Sequence, residues 1–452
     1  MSDLFTTPEM AELFTPRAMV AAMLRVESAL ARTLANVAVD EDIANRIAAA
    51  CRVELYDVDA IFAEAAIAGT PVIPLVRMLR ERVDGKARDY VHWGATSQDI
   101  IDTAMVLQMR EGIELLVRDL REVASCAAAL AEKHRHAVMA GRTLGQQAAP
   151  ITFGLKAARW LELTRRQIYT LDALRAGAPG PVLERRDGTP TAALPLQFGG
   201  AVGTLAAFGN AGLAIAANLS VELELPLPDL PWHAERDRIA TVAAALGVTA
   251  GAMSKIAGDI ALLAQTEIGE VSEGAQPGKG GSSAMPQKRN PVDAMSALAA
   301  ARLAIALVPT LMSGLEQEHE RAIGAWQAEW VAVPHIFRHT AGAVSHVRQA
   351  LAGLEVHEDR MRRNLGVACG TLMAEALSVA LTPRLGRIEA QNVAKAASER
   401  ALREGLTLQQ AALEDPRVAS IPSHEEIEYA LDPVHYLGST NDLIDVVLRG
   451  WS

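Results

Sequence analysis

Residues 278–292, GKGGSSAMPQKRNPV, set two adjacent hydroxyls, Ser282 and Ser283, among three glycines and just ahead of Lys288 and Arg289. A serine exchanges protons with carbon poorly unless its alkoxide is stabilised, and backbone amides with nearby ammonium or guanidinium groups supply that stabilisation. Glycines 278, 280 and 281 permit backbone conformations closed to other residues, while Lys288 and Arg289 can hold carboxylate or phosphate oxygens. The stretch suits an activated oxygen beside a held anion. A solvated, glycine-rich surface loop has the same composition, so residue types alone leave both readings open. The pattern does not match the G-x-x-x-x-G-K-[ST] cradle for triphosphates, which disfavours nucleotide hydrolysis.

Three other stretches carry comparable groups. In YVHWGATSQDIIDTA (90–104), His92 titrates near neutral pH, and Thr96, Ser97, Gln98 and Asp99 stand directly before an apolar helical run. That is either an anion-holding corner or a helix cap with an ordinary, partly buried histidine. In GRTLGQQAAPITFG (141–154), Arg142, Thr143, Gln146 and Gln147 precede Pro150, which reads as polar donors at the entry to a long helix whose dipole favours anions. A helix start alone explains that stretch equally well. EQEHERAIGAWQAEW (316–330) groups Glu318, His319, Glu320 and Arg321, which at helical spacing could fix one another's charge or form a solvated salt-bridge face.

The elements that must position these groups are helices. Alanine and leucine dominate the 452 residues, aromatics are only 4%, and few segments alternate with the two-residue period of strands. Thr15-Pro16 reads as a cap and first helical residue, followed by Met19, Val20, Met23, Leu24, Leu30 and Leu34 near helical spacing. Ile113, Leu116, Leu120, Val123, Ala127 and Leu130 predict a helix over about 111–134 with a narrow apolar seam. Further helical windows cover about 150–177, 233–271, 292–313 and 326–355, and the proline-punctuated tail from 356 suggests a smaller domain. Helices this long imply a bundle that completes its burial by forming a homo-oligomer.

Composition narrows the partners. A net charge of -11 argues against nucleic acid held on a basic surface. Cys51, Cys126 and Cys369 are scattered and form no metal-binding or disulfide pattern, which fits a reducing cytoplasm. The first thirty residues lack the features of a signal peptide, and the most apolar run, 294–312, carries Arg302 and Pro309, so it reads as a buried bundle helix rather than a membrane span.

Together the four stretches resemble the fumarase/aspartase superfamily, whose signature G-S-x-x-M-P-x-K-x-N is matched in full by Gly281, Ser282, Met285, Pro286, Lys288 and Asn290. HWGATSQD, GRTxxQxAxP and EHER fall in the family's order, and the resemblance runs from about residue 10 to the C-terminus. It implies an all-α, three-domain fold: 1–110, a central long-helix bundle 111–355 with the signature loop, and 356–452. It also implies a homotetramer whose active sites are shared between subunits. The implied chemistry is proton exchange by Ser282 at a carbon next to a carboxylate, through an aci-carboxylate intermediate held by Lys288 and Asn290. Ser97, Thr143 and Gln146 match carboxylate-binding positions, with Thr96, Arg142, Arg289 and His319 as further candidates. His92 matches a histidine of the adenylosuccinate lyase branch, and Glu320 normally charge-pairs with a histidine in the second motif.

That second-motif histidine is replaced by Leu144, which cannot transfer a proton. Expelling an amine needs an acid at the leaving atom as well as a base at carbon, whereas a carboxylate nucleophile or leaving group is already ionised at neutral pH. One branch uses a carboxylate in this way, the 3-carboxy-cis,cis-muconate cycloisomerases, and LQFGGAVGTLAAFG (196–209), LPWHAERDRIA (230–240) and EHERAIGAWQAEW are similar to it. Arg236 and Arg238 become candidate anchors for a tricarboxylate, with salt bridging as the alternative for either. The branch carries Trp at the Leu144 position and His at the Gln147 position, so a related substituted muconate stays open as substrate. An adenylosuccinate-lyase-like or other aminocarboxylate lyase using His92 as acid, and a non-catalytic relative, are the other readings. No metal, organic cofactor, nucleic acid or membrane partner is implied.

Overall fold

The computed structural model describes residues 2–35, 37, 39–176, 193–274, 278–281, 285, 287–419 and 424–451. Packing divides the chain into two units, one of Met1–Leu120, Arg166–Ser254 and Ser296–His346, the other of Arg121–Arg165, Lys255–Met295 and Val347–Ser452.

Helices build the first unit. Pro16–Ala35 begins where the Thr15-Pro16 pair predicts, with Thr15 Oγ1 accepting the Ala18 amide at 3.1 Å. Val20, Met23, Leu24, Leu30 and Leu34 form its buried face. The helix expected over 111–134 starts earlier, as Ser97–Lys133. Its first turns escape periodicity because Gln98 through Met105 are buried without interruption, so no polar face marks them as helical. At Gly112 this helix meets Ala325–Ala352 so closely that a β-carbon would lie 2.8 Å from the Phe337 ring. Asp237–Leu263 is shorter at both ends than the 233–271 window, and Val292–Ser313 matches its own.

Those last two helices are long and apolar enough to cross a membrane by length and composition. In Asp237–Leu263, 61% of the apolar window is buried; in Val292–Ser313 only 33% is. The burial expected of the second holds for one face: Ala297, Ala301 and Ala304 face inward, while Leu303, Ile305 and Met312 are exposed.

The second unit contains two antiparallel two-stranded sheets that the sequence pattern did not predict, a hairpin of β1 (Val138–Thr143) with β2 (Gln146–Thr152), and β3 (Val271–Ser272) paired with the distant β4 (Glu355–Val356). Phe153–Ala176 therefore starts only after β2. Toward the C-terminus, Ala374–Leu385, Arg387–Glu404 and the short helices after them enclose a core of their own, including Leu377, Val393, Ala397, Leu408 and Ile427.

The turn leading into Ser97–Lys133 depends on Gly94. Its φ is +74°, and a β-carbon there would lie 2.1 Å from the tip of Phe208, a ring already packed against Trp93 and Phe198 at 5.7 Å. Gly94→Ala is expected to lower stability by about 1–3 kcal/mol through combined overpacking and backbone strain, seen as a lower urea midpoint by circular dichroism.

Candidate active site

The first-unit corner is built around two buried carboxylates one turn apart. Asp99 Oδ1 accepts the Gly199 amide at 2.9 Å and pairs with His233 Nε2 at 2.8 Å. Its Oδ2 accepts the amides of Gly200 at 2.9 Å and Thr96 at 3.0 Å, so Thr96 takes the cap position. Asp102 accepts from Arg236 Nη1 at 2.7 Å and Nη2 at 3.1 Å, from Trp326 Nε1 at 2.9 Å and from Gln98 Nε2 at 3.2 Å. On the other side, Arg236 Nε donates to Glu329 at 3.1 Å and Nη2 to its second oxygen. The guanidinium also lies over the Trp232 ring, 4.9 Å from its centroid. Burial opposes the charge on Arg236, but Asp102 and Glu329 together hold its pKa above the ordinary range. Of the two roles left open for Arg236, substrate anchor and salt bridge, the structure supports the second: it is a buried structural cation paired across helices rather than within one.

The EHER stretch also differs from expectation. It is a loop ahead of Ala325, not a helical face, and Arg321 reaches Gln98 Oε1 at 2.9 Å and the Ala201 carbonyl at 3.1 Å instead of a helical neighbour. His319 has φ +51°; it and Glu320 are exposed and make no ion pair among the described residues.

His92 and Ser97 line one cavity of about 400 Å³, together with Arg80 and Arg88. His92 has φ +60°, and its Nδ1 lies 2.6 Å from Oε1 of the buried Glu27. Burial pulls the imidazole pKa down, but the Glu27 charge and hydrogen bond outweigh it, and the net shift is above the ordinary 6.5.

In the second unit, Thr143 and Gln146 face each other across a two-residue turn, Leu144 (φ +51°) and Gly145 (φ +79°), that tips the β1–β2 hairpin. The expected helix entry is thus a hairpin, and the cap of the following helix is Thr152, whose Oγ1 accepts the Leu155 amide at 3.1 Å. Leu144 is fully exposed, and Thr143 and Gln146 beside it are exposed. Arg142, expected to hold substrate, grips buried Glu270 with two hydrogen bonds of 2.9 and 2.7 Å and is corrected to a fastener of the hairpin. Asn364 Nδ2 donates to the same carboxylate at 2.8 Å, and its carbonyl accepts from Gln147 Nε2 at 2.8 Å.

The signature loop closes where the Asn290 amide donates to the Gly280 carbonyl at 2.9 Å. Gly280 has φ +71°, and a β-carbon would stand 2.8 Å from the Asn290 oxygen. Glu273 caps the helix that follows, its oxygens accepting the amides of Asp293 at 3.0 Å and Ala294 at 2.8 Å. Lys279 pairs with Asp293, and Arg289 donates to the Glu273 carbonyl at 2.7 Å and to Glu355 at 3.3 Å. Lys288 is exposed and makes no ion pair among the described residues. Ser272, Gly281, Lys288, Asn290 and His357 line a cavity of about 520 Å³. Ser282 and Ser283 lie outside the described residues. Among the described residues, no three His, Cys, Asp or Glu side chains are grouped to hold a metal ion.

Sequence reasoning missed Asp102, His233, Glu329, Glu27, Glu270 and Glu273 as the groups that fix these corners. An available signal was Asp99-Ile-Ile-Asp102, two carboxylates at helical spacing enclosing branched apolar residues, where burial implies partners. Replacing Arg236 with Gln leaves two buried carboxylates without a counter-charge and is expected to destabilise by about 3–5 kcal/mol. A urea titration within about 1 kcal/mol of the wild type, an ordinary surface effect, would contradict this assignment.

Residues 4–302 match the family described as Lyase, and residues 370–447 match the adenylosuccinate lyase C-terminus. The 3-carboxy-cis,cis-muconate cycloisomerase of Pseudomonas aeruginosa is 43% identical over 448 residues, 98% of this chain and 94% of that protein. The nitrosuccinate lyase of Streptomyces davaonensis is 38% identical over 96% of this chain and 90% of its own length. The crystal structure of the 3-carboxy-cis,cis-muconate lactonizing enzyme from Pseudomonas putida aligns with a TM-score of 0.91 at 38% identity, covering 100% of this chain and 98% of that one. With its signature loop intact and its length covered by such relatives, the chain belongs to the fumarase/aspartase superfamily of lyases.

Proposed function

We propose that the protein is a cycloisomerase that converts 3-carboxy-cis,cis-muconate to 4-carboxymuconolactone in protocatechuate catabolism. The near full-length likeness to a cycloisomerase of that name carries the reading, and the exposed apolar side chain at Leu144 agrees with it. A carboxylate nucleophile needs no acid at that position, since it is ionised at neutral pH.

In the proposed reaction, a substrate carboxylate oxygen bonds to one carbon of the conjugated system. The electron pair of that double bond moves onto the carbon next to a carboxylate, forming an aci-carboxylate. Ser282 then gives its proton to that carbon and is reprotonated from solvent. Lys288 and Asn290 would hold the growing charge, with Arg289 at the cavity edge, while His92, Thr96, Ser97, Thr143, Gln146, His319 and Glu320 complete the substrate-facing set. Lys288 suits its part because Lys279 and Arg289 are engaged by Asp293 and Glu355. We also propose a homotetramer with shared sites, supported by the exposed apolar face of Val292–Ser313. A three-part division at 1–110, 111–355 and 356–452 and a cytoplasmic setting, supported by three unpaired thiols, complete the proposal.

A second reading, a lyase using His92 as acid, is favoured by one observation: Glu27 keeps that imidazole readily protonated. The readings separate in one assay. Wild-type protein is expected to remove the diene absorbance of 3-carboxy-cis,cis-muconate and to leave adenylosuccinate intact. Ser282→Ala is expected to be slower by about 100-fold or more. An unchanged diene signal with wild type, alongside cleavage of an aminocarboxylate, would overturn the cycloisomerase proposal. Lys288→Met is expected to lower kcat/KM by about 10- to 100-fold, the loss of a hydrogen bond to charge.

A further inference from the structure

Glu27 takes no part in the chemistry above, yet it is one of the least exposed charged groups of the first unit, at 1%. It lies on Pro16–Ala35 among Val26, Leu30 and other apolar side chains, a costly place for an ionised carboxylate without a partner. Oε1 is 2.6 Å from His92 Nδ1, and Oε2 is buried with no hydrogen-bond partner among the described residues. Cys51 and Tyr56 also feel the Glu27 charge, and both are pushed up chiefly by burial and so neutral. The histidine is therefore the counter-charge that the site offers.

From the other side, His92 is fixed by more than this contact. Its positive φ is uncommon for a residue with a β-carbon and sets the direction of the ring. With Nδ1 engaged, Nε2 has no partner among the described residues, and the side chain, 16% exposed, lines the cavity it shares with Ser97. Asp99 adds a favourable charge and Arg80 an opposing one.

We propose that Glu27 is a positioning residue that holds His92 by Nδ1 in its protonated form, so that Nε2–H and the Ser97 hydroxyl grip one substrate carboxylate. The assignment rests on the cycloisomerase reading and deepens it: His92 anchors through its charge and delivers no proton.

The test compares wild type, Glu27→Gln and His92→Gln. Histidine-selective NMR, with His92→Gln assigning the signal, is expected to show the His92 pKa falling by about one unit or more in Glu27→Gln. Protonation then fails at lower pH, so the rise of KM for 3-carboxy-cis,cis-muconate with pH is expected to begin about one unit lower in Glu27→Gln than in wild type. His92→Gln is expected to raise KM about tenfold at about pH 6, with kcat changed less, and it serves as the test if Glu27→Gln fails to fold. An unchanged His92 titration in Glu27→Gln would overturn the positioning role, and a KM insensitive to His92→Gln would overturn the anchor. Diene loss with wild type judges the cycloisomerase reading separately.

Discussion

The charge cluster of Arg236 with Asp102 and Glu329 is the constraint on which the first unit depends. Asp102 comes from Ser97–Lys133, Glu329 from Ala325–Ala352, and Arg236 stands at the foot of Asp237–Leu263, so one guanidinium ties three helices together. A buried ion cluster adds little stability over well-packed apolar residues, but it penalises every misalignment. Sliding any of the three helices by a turn would strand charges away from water. Asp99 inherits that register one turn earlier and converts it into fixed positions for the Gly199 and Gly200 amides and for the segment carrying His92 and Ser97.

The second unit repeats the device with different partners. Glu270 and Glu273 are both buried: one fastens Arg142 and Asn364, the other caps a helix and lies 3.6 Å from Lys279. Buried acids thus claim the cations that hold the framework together. A chain of net charge -11 can in this way still present local positive charge at a cavity, because Lys288 stands apart from those acidic anchors.

How much was legible follows from where each partner lies along the chain. The signature residues from Gly281 to Asn290 are contiguous, so pattern alone identified the loop and the family. The apolar seam from Ile113 to Leu130 is local and periodic, and it gave a helix. The turns before it were hidden because uniform burial erases periodicity. The β1–β2 hairpin was hidden because Leu144 occupies a turn position that usually holds Asn or Asp, and because Pro150 lies within a strand. The partners of Arg142 and Arg236 were hidden for a plainer reason: Glu270 is 128 residues from the first, and Asp102 is 134 from the second. Only the folded chain brings such groups together.

The uncovered side of Val292–Ser313 has a thermodynamic consequence. Leu303, Ile305 and Met312 remain in water in the single chain. Whatever covers them binds the folded form and not the unfolded one, so each covering event draws the folding equilibrium toward the native state. If the covering surface is another copy, resistance to denaturation is a property of the solution as well as of the sequence, rising as the protein becomes more concentrated and falling on dilution.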